Sequence, residues 1–175
     1  NYEPEALKVL QKRRSLRVLA ADTSPEHSYQ YDLRSISGGA LLQTRDEITE
    51  DPSSWKAVTK RKPTQEELDS LIFAWKAVKH IKSNAIVLAR GKTLIGMGAG
   101  QPNRVTSTRI AIKLAGDKSV GSVIASDAFL PFSDNVDVAG SAGVTAIIQP
   151  GGSIRDQECI EAANNYRMAM LFTKS

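Results

Sequence analysis

A glycine-rich segment in the middle of the sequence offers its first possible chemistry. Gly96, Gly98 and Gly100 alternate, Pro102 follows, and Arg104 comes two residues later. Glycines ahead of a helix let the backbone approach a ligand, and the free N–H groups of a first helical turn favour an anion. Pro102 suits the first helical position, where a proline sacrifices no hydrogen bond. The spacing matches neither the dinucleotide fingerprint nor the phosphate-binding P-loop, so a binding loop and a tight structural turn both stay open.

A second candidate segment, SDAFLPFSD, follows a predicted buried strand. Phe129 and Phe132 could form an apolar wall for a flat ring, or they could pack in the core. Asp127 and Asp134 could accept hydrogen bonds from a ligand, and Asp134 could equally cap the next helix.

The segment PGGS offers a third loop, at residues 150–153. It is either a helix start with free N–H groups or a plain turn capped by Ser153. Three such loops on one rim of a sheet favour a pocket for a planar, polar, anionic ligand.

Other chemistries lack the residues they need. The only histidines are His27 and His80, and the only cysteine is Cys159, so no pair has zinc-ligand spacing. We expect His80 to cap or pack at a helix end and Cys159 to be a buried small hydrophobe. No Ser-His-Asp or Cys-His motif is present.

Composition sets wider limits. The 175 residues are 41% hydrophobic and 24% charged, which is typical of a soluble globular protein. No apolar run is long enough for a membrane span, and a single cysteine fits a reducing compartment such as the cytoplasm. Basic clusters at residues 12–17 and 60–62 are a solvated surface or a field that attracts anionic small molecules. Nucleic acid is disfavoured because no aromatic residues interleave with them.

Hydrophobic periodicity predicts the elements that would position these loops. Helices are predicted at residues 4–14, 64–79, 103–115, 134–142 and 153–164. Strands are predicted at residues 16–20, 31–36, 40–43, 85–89, 93–97, 120–125, 144–149 and 168–173. A polar loop at 21–30 and a linker or surface excursion at 44–63 connect them.

The alternation of strands and helices predicts an α/β layered domain in which the later strands pair in parallel. Thr64 and Glu67 form a capping box that starts the helix at 64–79. Ligands of such sheets bind at the carboxyl ends of the strands, which is where the three candidate loops fall.

Four stretches carry a family resemblance. They are KSNAIVLARGKTLIGMGAGQPNRVTSTRIA, SDAFLPFSDNVDVAGSAGVTAIIQPGGSIRD, YDLRSISGGALLQTRD and TKRKPTQEELDSLIFAWKAVKHIKSNA. They resemble the C-terminal part of the bifunctional purine biosynthesis enzymes, which join AICAR (5-aminoimidazole-4-carboxamide ribonucleotide) formyltransferase to inosine monophosphate (IMP) cyclohydrolase. The similarity covers nearly the whole chain.

The resemblance implies a three-layer α/β/α domain of cytidine-deaminase-like fold without zinc, preceded by the tail of a similar subdomain. It divides the chain into residues 1–63, the end of the first formyltransferase subdomain with its connecting segment, and residues 64–175, the second subdomain. It also implies formyl transfer from 10-formyltetrahydrofolate to AICAR during IMP biosynthesis, in a cytoplasmic homodimer whose sites lie between subunits. Neither nucleic acid nor a membrane is an expected partner.

The matching motifs also imply site residues. The nucleotide would contact Asn84, Arg104 and Phe129. The folate would lie against Val105, Asp134, Ser153 and Ile154.

The family's catalytic Lys-His pair has no counterpart here, because the dipeptide Lys79-His80 occurs in a different sequence context. The resemblance therefore implies a fragment with half a site, inactive alone, with Trp75 and the helix at 64–80 exposed for self-association. A stand-alone nucleotide- or folate-binding module without catalysis is the alternative.

Overall fold

The computed structural model describes residues 2–21, 31–46 and 51–174. The chain divides into two compact units, residues 1–49 and residues 50–175. The division of the chain at residues 63 and 64 into two formyltransferase subdomains stays a prediction.

The first unit contains a helix and a hairpin. Helix α1 spans Pro4–Gln11, and strands β1 (Tyr31–Ile36) and β2 (Gly39–Thr44) pair in antiparallel fashion, as predicted. The predicted strand at residues 16–20 is wrong, because these residues form no regular structure and are all exposed. The predicted loop at 21–30 lies almost entirely outside the described residues.

The second unit is a six-stranded mixed sheet with helices on both faces. Its elements are β3 (Lys56–Ala57), α2 (Gln65–Val78), β4 (Ile86–Arg90), β5 (Thr93–Gly98), α3 (Arg104–Ala115), β6 (Val123–Ser126), α4 (Asp134–Ser141), β7 (Ala146–Gln149), α5 (Asp156–Asn165) and β8 (Ala169–Phe172). The strand order is β3-β8-β7-β6-β4-β5. The three-layer α/β architecture is confirmed. Strand β3 was not predicted, since its two residues lie inside the polar segment read as a linker.

Alternating side chains divide the core into two layers. Ile86 and Leu88 face the layer that α3, α4 and α5 build, whereas Val87 and Ala89 face α2. Strands with both faces covered bury side chains on both sides, so β4, β6 and β7 are apolar up to their last residue, which is Arg90, Ser126 and Gln149 respectively.

Strand directions bring the loops to one end of the sheet. Strands β6, β7 and β8 run parallel, β4 runs antiparallel to β6, and β5 runs antiparallel to β4. Strands β5 to β8 therefore all finish at the same end, which is also where β4 begins. We call it the carboxyl end of the sheet.

Helix α2 begins as predicted. Thr64 Oγ1 accepts from the backbone N–H of Glu67 at 3.2 Å, and the Glu67 carboxylate accepts from the Thr64 N–H at 2.8 Å. This reciprocal capping satisfies two backbone N–H donors at the start of the helix that have no intrahelical acceptor. Trp75, half-buried on α2, meets Trp55 edge to face with ring centroids 6.4 Å apart.

The two glycines of β5 serve packing, not ligand approach. A Cβ atom on Gly98 would lie 2.6 Å from the carbonyl carbon of Ser107 in α3, and one on Gly96 would collide with the backbone of Ala111. Both residues lie within the strand, so α3 rests directly on β5. Neither alternative left open by the sequence, a binding loop or a tight turn, holds for these two glycines, and only Gly100, with a φ of +65°, belongs to the loop.

Candidate functional site

Three loops and the start of β4 meet at the carboxyl end of the sheet. Counted with the strand and helix residues on either side, the loops span residues 98–104 between β5 and α3, 126–134 between β6 and α4, and 149–156 between β7 and α5. Their predicted common location is confirmed by the strand directions.

Asn84 stands immediately before β4 and is held from two sides. Its side-chain Nδ2 donates to the carbonyl oxygen of Gln101 at 2.9 Å, and its backbone carbonyl accepts from the Ser107 hydroxyl at 2.8 Å. The amide of Asn84 is therefore fixed against the loop that follows β5, and its position depends on α3 through Ser107.

Arg104 is the first residue of α3, and Asn103 is the N-cap. The Asn103 side chain accepts from the N–H of Thr106 at 2.9 Å, so that donor is not free for an anion. Pro102 consequently lies outside the helix, and its predicted place at the first helical position is wrong. Arg104 Nη2 binds Asp127 Oδ1 at 3.1 Å, and Nε binds Ser126 Oγ at 3.3 Å.

The two phenylalanines of the 126–134 loop are not core residues. Phe129 is 42% exposed and Phe132 is 48% exposed, whereas Leu130 between them is buried and donates its N–H to Gln149 Oε1 at 2.6 Å. The guanidinium of Arg155 lies 4.9 Å from the centre of the Phe132 ring. Core packing is thus excluded, and the exposed rings border the carboxyl end of the sheet.

Asp134 is the first residue of α4, after Ser133 at the N-cap position. It is not the cap, so that alternative is wrong. The buried amide of Asn135 donates to Asp134 Oδ1 at 2.8 Å and accepts from the Thr108 hydroxyl at 3.0 Å. This chain of bonds joins the Asp134 carboxylate to α3, where Val105 is half-buried in the first turn.

The sequence left two alternatives open for the 150–153 loop, and the one with free N–H groups is wrong for Gly152 and Ser153. The Asp156 carboxylate accepts from the N–H of Gly152 at 2.7 Å and from that of Ser153 at 3.2 Å. Helix α5 begins at Asp156, and the Ser153 hydroxyl accepts from the Arg155 N–H at 3.1 Å without capping the helix. Ile154 is fully exposed.

The remaining titratable candidates are His80 and Cys159, and Cys159 Sγ donates to the Leu130 carbonyl of the 126–134 loop at 3.5 Å. His80 is exposed just after α2. Cys159 is buried, as predicted, and burial, together with the negative charges of Asp156 and Glu158, raises the pKa of its thiol to about 11. Among residues 2–21, 31–46 and 51–174 no group of three His, Cys, Asp or Glu side chains could hold a metal ion. No helix in those ranges is long and apolar enough to cross a bilayer.

Sequence reasoning did not single out Ser107, Ser126 or Arg155. Ser107 and Ser126 hold Asn84 and Arg104 in place, and the Arg155 guanidinium lies over the Phe132 ring. Ser126 is the last residue of β6, and its hydroxyl also donates to the Ala128 carbonyl at 2.6 Å. A lone serine or arginine carries no pattern by which sequence reasoning could have found it.

Comparison with known proteins identifies the family. Residues 1–114 match the model of the AICARFT/IMPCHase bienzyme. The chain is 51% identical over 173 residues to the bifunctional purine biosynthesis protein PurH of Anoxybacillus flavithermus. The alignment covers 99% of this chain and 34% of that protein. The chain is 48% identical over 180 residues to the purH protein of Dictyostelium discoideum, with coverage of 99% and 33%.

Among solved structures, the chain is similar to Acinetobacter baumannii RibD, with a TM-score of 0.41, 15% identity, and coverage of 59% of this chain and 33% of that one. The chain spans about a third of the length of the curated relatives it matches. Because the family model covers well over half of the chain, this protein belongs to the family of the AICARFT/IMPCHase bienzyme of purine biosynthesis.

Proposed function

We propose that this chain forms part of an AICAR formyltransferase, which transfers a formyl group from 10-formyltetrahydrofolate to the 5-amino group of AICAR during IMP biosynthesis. The observation that carries the proposal is the joint fixing of Asn84 and Arg104 at the carboxyl end of the sheet. Location in the cytoplasm belongs to the same proposal. The family membership and the names of the relatives support it.

The chemistry needs positioning and charge. The amine of AICAR is a weak nucleophile, and its attack on the formyl carbon creates an oxyanion. A fixed amide such as that of Asn84 can hold the neighbouring carboxamide in line for attack, which is the positioning contribution to catalysis. A fixed guanidinium such as that of Arg104 supplies positive charge that need not reorganise as the oxyanion forms.

The exposed apolar groups support a second, folate-binding part of the site. Phe129, which we assign to the nucleotide, borders this part, and Val105 and Ile154 offer apolar surface for a flat ring. Asp134 offers a carboxylate that Asn135 orients, and Ser153 offers a hydroxyl. A planar co-substrate with polar edges suits such a mixture of apolar walls and few polar groups.

The chain supplies no counterpart of the family's catalytic Lys-His pair, so we propose that it is inactive alone. Both substrates should be supplied to the isolated chain and formyl transfer measured. We expect no turnover above the uncatalysed background. Turnover comparable to that of a complete enzyme would contradict the proposal, whereas saturable binding of AICAR without any turnover in the complete protein would favour the binding-module alternative.

We also propose a homodimer. The inner side of α2 is buried against the sheet, and Trp75 also contacts Trp55, so only the outer side of this helix is open to a second copy. Sedimentation at micromolar concentration should show self-association, and a monomer would contradict it.

The sharpest test of the site is Arg104→Lys in the complete protein. Lysine keeps the charge but replaces a planar fork that binds Ser126 and Asp127 together by a point charge on a flexible stem. We expect kcat to fall by roughly 100- to 1000-fold, as for removal of one positioned oxyanion donor. Lys92→Ala, in the exposed β4–β5 turn at the opposite end of the sheet, is the control and should leave kcat unchanged. Wild-type kcat in Arg104→Lys would remove Arg104 from the site.

A further inference from the structure

Asp127 lies at the junction of β4, β6 and α3, and one of its carboxylate oxygens binds two of them. Oδ1 accepts from the backbone N–H of Ala85 at 3.0 Å and from Arg104 Nη2 at 3.1 Å. The side chains of Asp127 and Arg104 are 15% and 14% exposed. Hydrogen bonds between ionised groups are stronger than neutral ones, and this pair is largely shielded from water.

The bond to Ala85 replaces a backbone bond of the sheet. Strands β4 and β6 pair Ile86 with Ser126, so Ala85 and Asp127 are the next pair of the antiparallel ladder. Asp127 donates its N–H to the Ala85 carbonyl at 3.2 Å, but the Ala85 N–H turns to the Asp127 side chain. A backbone bond thus fixes the carboxylate directly beside Asn84.

The guanidinium of Arg104 is held along one edge. Its Nη2 binds Asp127, and its Nε binds Ser126 Oγ, whose own hydrogen is committed to the Ala128 carbonyl. The remaining nitrogen, Nη1, makes no hydrogen bond to any residue in the parts of the chain that the structure describes. Two fixed contacts on one edge define the plane of the guanidinium and leave the other edge for a ligand.

We propose that Asp127 is a positioning residue for formyl transfer, which sets the guanidinium plane of Arg104 and the place of Arg104 relative to Asn84. This inference rests on the proposed function. It differs from the expectation that Asp127 binds a ligand directly, because here Oδ1 of the carboxylate acts through Ala85 and Arg104. Since a displacement of about 1 Å can lower a rate by a hundredfold, the chemical step should be sensitive to this carboxylate.

The test is a double-mutant cycle in the complete protein. Asp127→Asn keeps the side-chain volume and an oxygen for the Ala85 N–H, but removes the charge opposite Arg104. We expect kcat to fall by about a hundredfold with little change in the KM for the folate. In the Arg104→Lys background the same substitution should lower kcat by less than about threefold, because the partner it orients is already lost. Asp117→Asn, at an exposed carboxylate two residues after α3, is the control and should change neither constant.

Ser126→Ala provides a second arm in case Asp127→Asn does not fold. It removes the other contact to the Arg104 guanidinium, and its loss of kcat should also shrink in the Arg104→Lys background. If each substitution lowers kcat by the same factor in the wild-type and Arg104→Lys backgrounds, the inference is overturned, because Asp127 would then act on the substrate or only on stability. Wild-type kcat in both Asp127→Asn and Ser126→Ala would overturn it as well. If either of these outcomes is found and Arg104→Lys still lowers kcat, the inference about Asp127 fails but the proposed function stands. Wild-type kcat in Arg104→Lys would contradict the proposed site itself.

Discussion

Gly98→Ala tests the packing of α3 on β5, on which the candidate site depends. The added Cβ atom would lie 2.6 Å from the carbonyl carbon and 2.7 Å from the Cα of Ser107, and closer still to its carbonyl oxygen. All three atoms belong to the backbone of α3, so no side chain can rotate away. Because ordinary carbon contacts are about 3.5–4.0 Å, the helix has to move from the strand by about 1 Å.

The expected cost follows from this displacement. Overpacking of a well-filled core costs about 1–3 kcal/mol, and a rigid backbone obstacle places Gly98→Ala at the upper end, about 3 kcal/mol. Moving α3 also moves Ser107, which holds the Asn84 carbonyl, and Arg104 at the start of the helix. We therefore expect weaker AICAR binding in the complete protein as a second consequence.

Gly140→Ala is the matched comparison. A Cβ atom there would lie 2.6 Å from Cδ1 of Tyr166, so it overlaps its neighbour as the one at Gly98 does, but the obstacle is a side-chain ring 41% exposed at the surface. The ring has to rotate aside and give up its 3.2 Å contact with the Ser141 hydroxyl, whereas alanine in a helix gains up to about 1 kcal/mol over glycine. We therefore expect Gly140→Ala to cost less than Gly98→Ala, because a side chain can rotate and the α3 backbone cannot.

Urea unfolding of the isolated chain, followed by tryptophan fluorescence, measures both variants. The two tryptophans lie in the second unit, which contains both glycines, so the signal reports the relevant transition. A Gly98→Ala chain as stable as the wild type would refute the packing argument. Unchanged stability together with lost AICAR binding would restore Gly98 as a ligand-binding glycine.

Two further predictions concern titratable groups. Burial raises the pKa of Glu67, but hydrogen bonds from Arg61, the Thr145 hydroxyl and the Thr64 N–H outweigh it and lower the pKa to about 2 from an ordinary 4.5. A lowered pKa means that this carboxylate stabilises the fold above about pH 4.5 and that the stabilisation is lost as the pH falls towards 2. Glu67→Gln should therefore lower the free energy of unfolding by about 1–3 kcal/mol at pH 7. It should also flatten the dependence of the unfolding free energy on pH between 4.5 and 2. The measurement is urea unfolding at several pH values, and an equal dependence of the unfolding free energy on pH in Glu67→Gln and wild type would contradict this. Cys159, buried and with its pKa raised to about 11, should react with a disulfide reagent at pH 8 at least about a hundredfold more slowly in the folded chain than in urea, and equal rates would show that it is accessible.

The fold was largely predictable because its signals are local and repeated. Helix α2 combines a capping box with an apolar stripe, and strands β4, β6 and β7 are apolar runs of the length that buried strands have. Once helices alternate with strands, parallel pairing and a common carboxyl end follow with few alternatives. Two-residue β3 carries no such signal, since a strand so short depends entirely on its pairing with β8.

The predictions that are wrong at the site share one physical cause, which is that the chain's own groups compete with a ligand for the same atoms and the same space. The sequence shows that the 150–153 loop has N–H groups, but not that the Asp156 carboxylate turns back to bind two of them. It likewise shows that Gly96 and Gly98 lack side chains, but not whether a ligand or the α3 backbone takes the space. Which group wins is decided by tertiary distances that residue spacing does not contain.

Helix α3 connects the two parts of the proposed site. Its first residue, Arg104, binds the end of β6 through Asp127, and Ser107 holds the carbonyl of Asn84. The Thr108 hydroxyl lies within donating distance of the Arg104 carbonyl and of the Asn135 side-chain oxygen, and Asn135 in turn orients Asp134 on the proposed folate side.

These bonds all start within the first five residues of α3, so a small rotation of the helix would disturb nucleotide and folate contacts together. The close contacts at Gly96 and Gly98 hold the helix at one distance from β5 and oppose such a rotation. Variants at the helix–strand contact should therefore weaken the binding of both substrates, whereas Asp127→Asn should act through the chemical step. This difference separates the frame that carries the site from the carboxylate that orients one of its residues.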